Sequence, residues 1–80
     1  MMPDADVEIT YCEPCGTLGM AVEVRERLRE TCEGSYDEVE FVAGDDGVFR
    51  IRVDGAVAYD TEQTAYDPAT AAEWVCAELQ

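Results

Sequence analysis

From Val7 to Tyr11 apolar and polar residues alternate, with Val7, Ile9 and Tyr11 on one side and Glu8 and Thr10 on the other. A period of two predicts a half-buried strand whose Val7 and Ile9 face a core. From Leu18 the period lengthens. Leu18, Ala21, Val24 or Arg25, Leu28 and Cys32 recur at three- and four-residue steps, the stripe of an amphipathic helix. On its wet side Glu23–Arg27 and Arg29–Glu33 stand at i,i+4 spacing, and Gly34 follows as a helix stop. Alternation returns over Tyr36–Ala43, with Val39, Phe41 and Ala43 on one face and Glu38 and Glu40 on the other. After a loop of Gly44-Asp45-Asp46-Gly47, the run Val48–Val53 puts Phe49, Ile51 and Val53 inward and Arg50 and Arg52 outward. Whether those arginines pair with Glu38 or Glu40 across the sheet depends on strand order. Asp54-Gly55 is a two-residue hairpin signal leading into Ala56–Asp60, with Val57 and Tyr59 on one face. Thr61–Tyr66 is a loop. Asp67-Pro68 then sets an N-cap before a proline at the first helical position. The helix it opens buries Ala71, Ala72, Val75, Cys76 and Leu79 and leaves Trp74 at its edge.

The order is β-α-β-β-β-α in one small domain spanning residues 1–80, with Met1–Ala5 a frayed lead. The first β-α-β calls for parallel strands joined by a right-handed crossover. The last two strands form an antiparallel hairpin. The fold class is α/β: one four-stranded mixed sheet with two helices packed on it buries these apolar faces.

Charge adds something the pattern does not show. Nineteen Asp and Glu face five Arg, Lys is absent, and the net charge is −14. Self-repulsion at that density destabilises a compact fold in dilute buffer, and salt above 1 M, where the Debye length is about 3 Å or less, screens it. The alternative is a protein with a basic partner, but the acids are spread along the chain rather than massed in a tail, which favours surface adaptation to a salty cytosol, as in a halophilic archaeon. Nucleic acid is excluded as a partner by like charge. No apolar run approaches the ~20 residues of a membrane span, and no secretory signal is present. The expected setting is cytoplasmic, where thiols are held reduced. Cys32 and Cys76, each on an apolar helix face, then read as small buried hydrophobes.

The remaining two cysteines carry the chemistry. Tyr11-Cys12-Glu13-Pro14-Cys15-Gly16 joins the first strand to the first helix. Pro14 tightens the turn, and the helix N-terminus favours a thiolate over a thiol. A C-x-x-C between a strand and a helix suits dithiol–disulfide exchange. Zinc takes four ligands, and this chain has no His and only two isolated further cysteines, so the metal alternative is a zinc-bridged dimer sharing two C-x-x-C pairs. Gly16 and Gly19 are poor helix formers, which suits either a frayed helix start or close approach of a substrate. A further alternative is a binding adaptor whose thiols act as a redox-sensitive latch without turnover. The exchange reading calls for no cofactor, and its partner is a protein or low-molecular-weight thiol or disulfide. The sequence sets no oligomeric state.

Val7–Gly16, the following helix, and Gly47-Val48-Phe49-Arg50-Ile51-Arg52-Val53-Asp54-Gly55 together resemble the selenoprotein W-like, or Rdx, family. The resemblance covers nearly the whole chain. It implies a thioredoxin-like fold with sheet order 2-1-3-4 and a role as a small thiol oxidoreductase or redox adaptor in cell redox homeostasis. Selenocysteine stands at the position of Cys15 in the selenium-containing members, which implies Cys15 as the attacking thiolate and Cys12 as the resolving thiol. Ordinary thioredoxins favour the first cysteine instead. They also place a cis-proline opposite the C-x-x-C, where this chain has Gly44–Gly47. That loop is expected to cross the end of the first strand, bringing Asp45 and Asp46 near the thiols.

Overall fold

Alternation decides which face of each strand is wet. In the computed structural model, which describes residues 5–32, 36–44, 47 and 49–79, β1 (Ala5–Cys12) buries Val7 and Ile9 almost completely. It runs parallel to β2 (Tyr36–Gly44), with Ile9 opposite Phe41, and antiparallel to β3 (Arg50–Val53), with Ile9 opposite Ile51. β4 (Ala56–Asp60) pairs with β3, which gives the sheet order β2-β1-β3-β4. Two helices, α1 (Leu18–Cys32) and α2 (Pro68–Leu79), complete the β-α-β-β-β-α order. Ala21, Val24 and Leu28 of α1 and Ala71, Ala72 and Val75 of α2 join Val7, Ile9, Phe49 and Ile51 in one core. Both helices therefore pack on the same face of the sheet. The other face is charged. Arg52 reaches Glu8 at 3.4 Å, and Arg50 reaches Asp60 at 3.0 Å and Glu62 at 3.1 Å.

Strand order decides the pairing of the arginines, and the observed order sets Arg52 against Glu8. β1 lies between β2 and β3, so Arg52 meets the acid of the adjacent strand first; the Glu38 side chain lies outside the described set. Glu33, Gly34, Asp45, Asp46 and Val48 also fall outside it, and with them the expected Arg29–Glu33 pair, the glycine stop and the two loop acids. Arg29 meets Glu26 at 3.6 Å, and Arg27 meets Glu23 at 3.9 Å as the spacing predicts.

The turns follow their residues. Asp54 and Gly55 both have positive φ, +53° and +86°, as a tight hairpin of this hand requires. Asp54 further fastens the turn to β1: its N–H donates to the Asp6 carbonyl, and its Oδ1 accepts from the Asp6 N–H. Asp67 caps α2 by accepting from Ala69 N at 3.0 Å and Thr70 N at 3.4 Å.

Four side chains depart from expectation. Val57 does not share the inward face with Tyr59: it is 47% exposed, whereas Tyr59 is 1% exposed. The register steps from Ile51↔Tyr59 to Arg52↔Val57, so Ala58 is an extra residue on β4. A bulge of one residue turns everything beyond it to the other face. Leu18, at the first position of α1, is 45% exposed beside the cysteine loop, and the buried stripe begins at Ala21. Finally, Cys32 and Cys76 are not free thiols. They are joined, with an S–S distance of 2.07 Å and a Cα–Cα distance of 5.9 Å. Docking of α1 against α2 brings together two residues 44 apart in sequence, an adjacency that neither helix encodes alone.

Candidate redox site

β1 ends on Cys12, which is 2% exposed, and the chain then turns through Glu13-Pro14-Cys15-Gly16 into α1. The turn is closed by Gly16 N–H donating to the Glu13 carbonyl at 3.1 Å, and Gly16 takes a φ of +77°, which glycine adopts at no steric cost. Glu13 N–H donates to the Gly44 carbonyl at 3.0 Å, so the loop is also pinned to the end of β2. Cys12 and Cys15 are joined as a disulfide, with a Cα–Cα distance of 5.2 Å. Cys15 is exposed where Cys12 is buried.

Thr17, which the sequence reading passed over, holds this arrangement in place. Its Oγ1 accepts from Cys12 N–H at 2.8 Å and donates to the Cys12 carbonyl at 3.1 Å, while its own N–H donates to the same carbonyl at 3.2 Å. Its carbonyl accepts from Ala21 N–H, so Thr17 is the last residue before the helix proper. The signal was available: Thr is a preferred N-cap residue and stands immediately before the helical period begins. Here its hydroxyl turns back to the strand end instead of capping the first turn.

Cys15 precedes the start of α1 by three residues, and the first turn of α1 carries no acid to offset the partial positive charge there. A shallow hollow lined by Glu13, Pro14, Ala43 and Gly44 lies beside the loop, and Leu18, which opens α1, is exposed. The four cysteines form two bonded pairs, one before α1 and one at its far end, so they do not converge on one point. A buried cysteine bonded to an exposed one, on a loop fixed by backbone bonds, is an arrangement suited to accept a thiolate at one sulfur and release the other.

Comparison with known proteins agrees with this geometry. A profile of the Rdx family matches residues 6–75. Among solved structures, a Bordetella parapertussis protein is 30% identical, with a TM-score of 0.83 over 94% of this chain and 98% of that one. A selenoprotein W-related protein from Vibrio cholerae is 20% identical, also with a TM-score of 0.83, over 96% of this chain and 99% of that one; this second likeness is one of fold. No curated protein sequence matches the chain.

Proposed function

Because the chain belongs to the Rdx family, we propose that it is a thiol–disulfide exchange protein in which Cys15 is the attacking sulfur and Cys12 the resolving one. In the dithiol state the Cys15 thiolate attacks a substrate disulfide, forms a mixed disulfide and releases the first substrate thiolate. The Cys12 thiolate then attacks Cys15 Sγ. The second substrate thiolate leaves, and the Cys12–Cys15 bond forms. Two electrons pass to the substrate. Two thiol equivalents return them: one external thiolate attacks Cys15 Sγ and releases Cys12, and a second attacks the outer sulfur of that mixed disulfide and releases the Cys15 thiolate as an external disulfide forms. The observation that carries this assignment is the asymmetry of exposure, with Cys15 open to solvent and Cys12 2% exposed. It favours the same cysteine as the selenocysteine position in the family, against the order usual in thioredoxins.

Cys12→Ser is expected to accumulate a mixed disulfide on Cys15 when challenged with a disulfide substrate, and Cys15→Ser to accumulate none. Intact-mass spectrometry after acid quenching reads both. Unchanged redox behaviour in both single variants would sink the proposal.

The partner in this reading is a protein or low-molecular-weight disulfide. A couple that turns over needs a supply of reductant, which a cytosolic thiol pool provides, so a cytoplasmic setting is part of the proposal. The net charge of −14 with no Lys supports a high-salt interior as that setting.

A further inference from the structure

The sulfur chemistry of this chain extends beyond its C-x-x-C. Cys32 is the last residue of α1 and Cys76 lies in the final turn of α2. Their Cα atoms are 5.9 Å apart, within the ordinary range for a disulfide, and the bond is made. Cys76 is 4% exposed and Cys32 is partly covered. α1 has fifteen residues, so at 1.5 Å per residue about 22 Å of helix stands between Cys32 and the loop that holds Cys12 and Cys15. The two pairs are out of reach of each other within one molecule. Toward its other end, α1 is tied to the chain after β4 by weaker bonds. The Tyr66 hydroxyl donates to Glu23 Oε1 at 3.1 Å and lies 3.4 Å from the Met20 carbonyl. The disulfide thus adds a covalent tie between α1 and the segment 61–79 to the hydrogen bonds of Tyr66.

We propose that Cys32–Cys76 is a second redox centre that works as a lock on the helix pair, staying oxidised while the Cys12–Cys15 couple cycles. Its closure is a two-electron step. The Cys32 thiolate, the more accessible of the two, attacks a protein or low-molecular-weight disulfide, whose S–S bond breaks to give a mixed disulfide and one thiol. Cys76 then displaces the second thiol as the Cys32–Cys76 bond forms. Opening requires an external thiolate to reach Cys32 Sγ and Cys76 to leave, against the packing of both helices. The two bonds differ in what they do for the fold. The ring closed by Cys12 and Cys15 has a sequence separation of 3 and removes little freedom from the unfolded chain; the ring closed by Cys32 and Cys76 has a separation of 44 and removes a great deal. One pair is built for exchange and the other for holding. The lock itself does not depend on the proposed exchange activity; only its persistence through cycling of Cys12–Cys15 rests on that reading.

The test is a dithiothreitol titration of the aerobically purified full chain in high salt, with alkylation, peptide mapping and a melting curve at each step. Alkylation before any reductant is expected to leave Cys32 and Cys76 unlabelled. As reductant rises, Cys12 and Cys15 become labelled first with little change in Tm. Cys32 and Cys76 are labelled later, and Tm then falls by about 10 °C or more. Cys32→Ala/Cys76→Ala is expected to start from the lowered Tm and to keep the Cys12–Cys15 labelling curve of the parent. Labelling of Cys32 or Cys76 before reduction, opening of both pairs at the same reductant concentration, or an unchanged Tm after the second step would each overturn the proposal. If the double variant does not fold, the titration of the parent chain decides alone.

Discussion

The Thr17 hydroxyl satisfies both backbone polar groups of Cys12, one of the most buried residues of the site. Thr17→Val keeps the shape and removes the hydroxyl, leaving the Cys12 N–H buried without its partner. The expected cost is about 1–3 kcal/mol, read as a lower urea midpoint, with Thr17→Ser close to the parent. Asp60 offers a second single-residue test. The Glu62 N–H donates to its Oδ1 at 2.9 Å and Arg50 Nε donates to its Oδ2 at 3.0 Å, and together they hold its carboxyl below the ordinary value despite burial. A lowered carboxyl contributes stability above its unfolded pKa and loses that contribution as pH falls through the folded value. Asp60→Asn is therefore expected to cost about 1–3 kcal/mol at neutral pH, with the gap to the parent closing as pH falls below about 4. Urea unfolding of both proteins at matched pH values checks this, and repulsion among the other acids is common to both. At this scale the sequence announced Cys12 and Cys15, because a short spacing is visible in one dimension. It did not announce Thr17, whose partner is fixed only once the loop has closed.

At the scale of elements, the caps and turns were the most legible features because their chemistry is local. Asp67 accepts from two N–H groups at the start of α2, and Asp67→Ala is expected to cost about 1 kcal/mol, a fall in Tm of about 4–8 °C by calorimetry. All six elements and their order could be read from periodicity, since a period of two and a period near 3.6 are separable over these lengths. The bulge at Ala58 could not. Ala56-Val57-Ala58-Tyr59-Asp60 alternates convincingly whether or not a residue is skipped, and only pairing with β3 shows that it is. The acids that Arg50 and Arg52 meet were open for a related reason, because strand order decides which acid is adjacent.

For the whole molecule, the balance lies between a small core and a net charge of −14. Raising salt from 0.1 M to above 1 M shortens the Debye length from about 10 Å to about 3 Å. Tm is expected to rise over that interval, and a flat or falling curve in sodium chloride would remove the high-salt reading. The pairing of Cys32 with Cys76 belongs to this scale too. Each cysteine looked apolar because each sits on a buried stripe, and the bond exists because two stripes dock on one sheet. That bond also changes what the chain is under load. Stretched between Ala5 and Leu79, the oxidised molecule is a closed ring with a long N-terminal tail that carries β1 and α1 and a short C-terminal one, and β2, β3 and β4 all lie inside the ring. β1, the strand that sits between β2 and β3, lies on a tail. Tension would draw β1 out of the middle of the sheet and then stop, about 150 Å short of the length the reduced chain can reach, because the 44-residue ring is bypassed by a single covalent link.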